Sequence, residues 1–133
     1  MIYEISKGDF MRKKIVIGLL VLGSSLFAEK SVPVMVGGDS DFDACGGTGI
    51  IKGLKVNGDG FLAVRKGPDS KYKMIDKLYN GNNVWLCDTK GKWEGVVYGK
   101  NCGVGGTIPK RQKYSGQCKS GWIYGKFVTL FAG

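Results

Sequence analysis

The chain reads as an all-β protein built around one small barrel, and three observations predict it. Beyond residue 28, no apolar stripe with a period near 3.6 runs for the length of a helix. Short apolar segments alternate instead with turns rich in Gly, Asn and Asp. Glycine is abundant, with 23 residues, and proline scarce, with 3, so chain reversals fall to residues that tolerate positive φ.

The first 28 residues stand apart from that pattern. Arg12-Lys13-Lys14 forms a positive n-region, residues 15–22 an apolar h-region, and Ala28 ends a small-residue stretch suited to signal peptidase, with Leu26 larger than usual for such a site. The alternative is a membrane anchor, but the apolar run falls short of the roughly 18–20 residues that a spanning helix needs. No stable membrane span is expected. No Cys follows the h-region to carry a lipid. Glu4 and Asp9 are odd in a signal peptide, so the true start is either Met1 or Met11, which directly precedes the basic triplet.

Residues 29–44 read as a flexible leader containing Gly37-Gly38 and three aspartates, and residues 45–133 as the barrel domain. The predicted strands are 49–54, 61–65, 74–78, 83–88, 93–98 and 122–124, with Phe127-Val128 as a closing turn. Asn57-Gly58-Asp59-Gly60 turns the first strand into the second, and Gly67-Pro68-Asp69-Ser70 opens a loop that carries Tyr72. Asn80-Gly81-Asn82 and Thr89-Lys90-Gly91-Lys92 make the next two turns.

About 100 residues remain after Ala28, near the lower size for a self-sufficient core. Four evenly spread cysteines in a small exported chain favour disulfides. Zinc ranks low because there is no Cys-x-x-Cys pair and no His. The charge is basic, with 20 Lys and Arg against 11 Asp and Glu. Four cations and two acids lie in residues 1–28, so the +9 of the whole chain falls to +7 without them. In an exported protein this charge points to anionic envelope partners rather than nucleic acid. The expected location is periplasmic or secreted.

The run Leu62-Ala63-Val64-Arg65-Lys66-Gly67-Pro68, then Trp93 after a turn and Gly121-Trp122-Ile123 near the end, resembles the bacterial Src homology 3 (SH3)-like domain. The similarity covers residues 49–128. It departs from the family pattern at Ala63, where a polar residue is usual, and at Lys66, where Ser is usual. The resemblance implies a small SH3-like barrel that binds extended peptides or cell-wall material and does not catalyse. It also implies a ligand lying against Tyr72, Trp93, Trp122 and Tyr124 on the barrel rim, where rigid aromatic faces bury area at low entropic cost. A Trp that follows Gly in a strand is commonly core, and this weighs against Trp122 as a contact.

Where the family has a tight turn, this chain carries residues 99–120, a long loop insertion with the basic group Lys110, Arg111 and Lys113. Cys102 and Cys118 stand near its two ends, where a bridge would close the neck, and this leaves Cys45 for Cys87. Four cysteines allow three pairings, and sequence alone does not choose. The basic group reads either as a solvated loop or as a docking arm for an acidic envelope protein.

Several motifs fail. Asp39-Ser40-Asp41-Phe42-Asp43 begins like a calcium loop, but Ala44 stands at its sixth position and Ile50 at its twelfth. Gly46-Gly47-Thr48-Gly49 lacks the Gly-Lys-Ser/Thr of a phosphate loop. Without His, a Ser or Cys nucleophile has no usual base. Asp88 and Glu94 are expected to face each other across a hairpin turn as a surface pair rather than a catalytic one. The expectation is therefore a non-catalytic module that needs no cofactor or metal and recognises cell-wall peptide or peptidoglycan. The alternatives are a protein–protein binder, such as an inhibitor or immunity protein for a secreted toxin or wall hydrolase, and, below that, a structural envelope protein.

Overall fold

The alternation of apolar and turn-forming segments yields nine antiparallel strands in the computed structural model, which describes residues 30–133 apart from position 56. The expected signal segment lies outside the described residues. The strands are β1 (Met35–Val36), β2 (Gly47–Ile51), β3 (Leu62–Arg65), β4 (Met74–Leu78), β5 (Asn83–Lys90), β6 (Trp93–Tyr98), β7 (Gln112–Lys113), β8 (Lys119–Tyr124) and β9 (Val128–Ala132). A 3-10 turn, Gly125–Phe127, precedes β9. Seven strands form one sheet in the order β4-β3-β8-β6-β5-β2-β9, and β1 and β7 pair by themselves. The strand β9, which pairs with β2, extends beyond the closing turn expected at Phe127-Val128.

Connection lengths show how the sheet bends. Strands β4 and β5 are joined by only four residues, 79–82, yet three strands separate them in the sheet order. The sheet must therefore curl until β4 returns near β5. Three hydrogen bonds hold that curl. Ile51 N–H donates to the Asn82 carbonyl at 2.9 Å and Gly81 N–H to the Ile51 carbonyl at 2.8 Å, tying the turn to the end of β2. Across the concave face the Tyr98 hydroxyl donates to Asp76 Oδ2 at 2.8 Å, linking β6 to β4. Ile51, Val64, Leu78, Val84, Val96 and Ile123 fill that face. Strands β4 and β9 remain as edges.

The convex face is covered as well, and here the structure corrects the expected organisation. The segment read as a flexible leader is packed: Val34 and Val36 are buried, and β1 pairs with β7 in register Met35 to Lys113. The long insertion has a strand of its own and joins the leader again at the Asp39–Ile108 bridge. Leader and insertion thus form one layer over the sheet, contributing Ala44, Cys45, Cys102 and Val104 to a second core around Val97 and Trp122. Their apolar residues are spaced too irregularly to show a period, because each short piece is shaped by the other rather than by a strand ladder.

A β-bulge at Cys87 anchors the layer. Leu86 pairs with Val96 and Asp88 with Gly95, so Cys87 is the extra residue and the alternation of faces resets there. Both Cys87 and Asp88 then meet the covering layer. Cys87 bonds to Cys45, and Cys102 bonds to Cys118 across the base of the insertion. Asp88 accepts from Met35 N–H at 3.1 Å and from Arg111 Nη2 at 3.3 Å. The expected surface pair of Asp88 with Glu94 does not form. Asp88 is buried beneath the layer, while Glu94 accepts from Thr89 Oγ1 at 3.0 Å.

Candidate functional site

Register decides which aromatics stay accessible. Along β6 and β8, Trp122 pairs with Gly95 and the next same-face pair is Tyr124 with Trp93. The covering layer reaches the first pair and ends at the margin of the second. Trp122 is consequently 0% exposed, and its Nε1–H donates to the Val32 carbonyl at 2.8 Å. The expectation that Trp122 contacts ligand is corrected on that ground, since its ring is core and its polar edge is already satisfied. Gly121 is required just before it: a Cβ there would collide with Val64 Cγ1 of β3.

Trp93 and Tyr124 meet edge to face, with ring centroids 5.7 Å apart. They line an open cleft of about 430 Å³ together with Leu62 and Ala63 of β3, Arg65, and the Asp69-Ser70 turn. The cleft is thus the uncovered end of the convex face, walled by the turn that Gly67-Pro68 opens. Tyr72 does not line the cleft. Its half-buried ring lies over Gly67, where a Cβ would come within 2.6 Å of it. Tyr72 instead braces the wall: its N–H donates to the Asp69 carbonyl at 3.2 Å, and its carbonyl accepts from Arg65 Nη1 at 3.0 Å.

Arg65, Asp69 and Ser70 were missed as site residues. Alternation along β3 could have found Arg65, because Ala63 and Arg65 fall on the face opposite Val64, whereas Asp69 and Ser70 lie in the turn, where no such period applies. The cleft therefore offers two aromatic faces, a guanidinium with donors left beyond its Tyr72 contact, and an exposed carboxylate. Such a surface suits a chain with an extended backbone and mixed polarity.

The basic segment is built differently from a free arm. Arg111 pairs with the buried Asp88, while Lys110 and Lys113 are exposed. Within the concave face, the carboxyl of Asp76 is held below its ordinary value. The main cause is the Tyr98 hydroxyl, followed after opposing burial by the Lys77 N–H and the Lys119 ammonium. Burial, and next the Asp76 carboxylate, push the Tyr98 phenol upward. These groups fasten the curl and do not touch the cleft.

No family model, curated protein or solved structure matches the chain. Among the described residues, no helix is long and apolar enough to cross a membrane. The two disulfides fit an oxidising compartment.

Proposed function

We propose that the chain is an exported, non-catalytic binding module of the bacterial SH3-like type, which holds peptide or peptidoglycan stem material in the cleft beside Trp93 and Tyr124. One observation carries this reading: an edge-to-face aromatic pair left open at the end of a sheet face that is covered everywhere else the layer reaches. Half-buried rings backed by strands keep their orientation without a ligand, so binding loses little conformational entropy. Support for the barrel type comes from the curl of the sheet, the tight 79–82 turn and the 3-10 turn before the last strand. A periplasmic location accords with the expected signal segment and the disulfides.

The reading of the 110–113 segment as a docking arm for an acidic protein has less support, because Arg111 is engaged by Asp88. Co-sedimentation of the oxidised protein with intact peptidoglycan sacculi, at low and moderate salt, separates the two. The aromatic cleft predicts binding that survives moderate salt and drops by about tenfold or more in Trp93→Ala and in Tyr124→Ala, as for central aromatic contacts. Undiminished binding by the double variant overturns it. Binding that vanishes with salt and with Lys110→Ala/Lys113→Ala supports the basic segment instead.

A further inference from the structure

The aromatic surface does not stop at Tyr124. Phe127, in the 3-10 turn, lies with its ring centroid 6.4 Å from that of Tyr124 and lines a second hollow of about 440 Å³. Leu62 lines both hollows, and the ring contact of Tyr124 in the first with Phe127 in the second links them. From Trp93 through Tyr124 to Phe127 the ring steps are 5.7 and 6.4 Å, at most roughly 12 Å in all. An extended chain covers that distance in about four residues.

The two ends of this groove carry different charge. Around the first hollow Arg65 is matched by Asp69. Around the second, Lys55 and Lys126 stand against Asp59, and the Lys77 ammonium lies 4.4 Å from the centroid of the Phe61 ring that lines it. The Lys126 ammonium is 5.7 Å from the Phe127 centroid. Among the described residues, none of these three ammonium groups is in an ion pair. Held over rings that line the second hollow, the Lys77 and Lys126 ammonium groups have less freedom left to lose when an anion arrives.

We infer that the groove takes its ligand in one direction, with a carboxylate-bearing end seated at Lys55, Lys77 and Lys126 and an extended stretch of about four residues running back to Trp93. The ligand class is thereby narrowed to an acidic peptide. The inference rests on the groove reading above, and its test keeps the two apart.

The test is calorimetric titration of the oxidised protein with two probes: a synthetic peptidoglycan stem tetrapeptide with free carboxylates, and the same peptide with its carboxylates amidated. The free form is expected to bind about tenfold more tightly, as for a charge-assisted contact. In Lys77→Gln/Lys126→Gln that difference shrinks to below about threefold, while the amidated peptide binds as before. Equal affinities for the two probes, or an undiminished difference in the variant, overturn the direction and leave the groove reading standing. Sacculi that sediment with the protein while neither peptide binds also overturn the inference. Failure of sacculi and both peptides together removes the groove reading as well.

Discussion

Trp122 and Tyr124 are two residues apart on the same strand face, yet one is core and the other lines a cleft. What separates them is where a distant segment ends, since Val32 and its neighbours cover Trp122 and stop short of Tyr124. Removing the indole by Trp122→Ala is expected to cost about 3–5 kcal/mol, read as a lower urea midpoint, because it empties a fully buried site. Tyr98 and Asp76 form the other decisive residue pair. Asp76 is held below its ordinary 3.8, so its contribution to stability is complete above that value and fades as pH falls below it. Tyr98→Phe should lower stability by about 1 kcal/mol at neutral pH, a modest figure because Asp76 is partly exposed. Thermal melts should then show the gap to the parent narrowing from about pH 4 to pH 2. A gap that stays constant over that range would rule out the Asp76 linkage.

Among the elements, the six expected strands all appear, two with the expected ends, 74–78 and 93–98, and four with shifted ones. The first runs Gly47–Ile51 rather than 49–54, and the last of the six starts at Lys119 rather than Trp122. These strands were legible because alternation and glycine turns are local properties. The covering layer was not, since neither the leader nor the insertion has a pattern of its own and each orders against the other and against the sheet beneath. The bulge at Cys87 was equally hidden, being a matter of register between β5 and β6. Arg111 is the polar link from the insertion to the sheet, and Arg111→Ala leaves Asp88 buried with its remaining backbone donors. The expected loss is about 1 kcal/mol, discounted because the Arg111 side chain is 53% exposed. Limited proteolysis should then cut residues 105–117 faster than in the parent. Unchanged cleavage would mean that the apolar contacts alone hold the layer.

For the whole molecule, two disulfides tie that layer down at different ranges. Cys45 and Cys87 are 42 residues apart and Cys102 and Cys118 are 16 apart. On chain-entropy grounds the first constrains the unfolded chain more, by about 4 kcal/mol against about 3. Replacing Cys45 and Cys87 by Ala should therefore lower the unfolding midpoint further than replacing Cys102 and Cys118, and the reverse order would point to native-state contacts rather than loop closure. The basic charge acts at this scale too, since it concerns partners and association rather than fold. By itself the sequence determined the all-β class, the strand segments, the turns and the aromatic residues from which a cleft is made, because period, glycine placement and residue chemistry act over a few neighbours. Only the tertiary structure decided that the leader and insertion form a second layer, that Trp122 is covered, that Tyr72 braces a wall, and that Trp93 and Tyr124 stay open. Those outcomes depend on which surfaces meet across 50 to 90 residues of chain, as the Met35–Asp88 and Val32–Trp122 hydrogen bonds illustrate, and no local pattern encodes such a meeting.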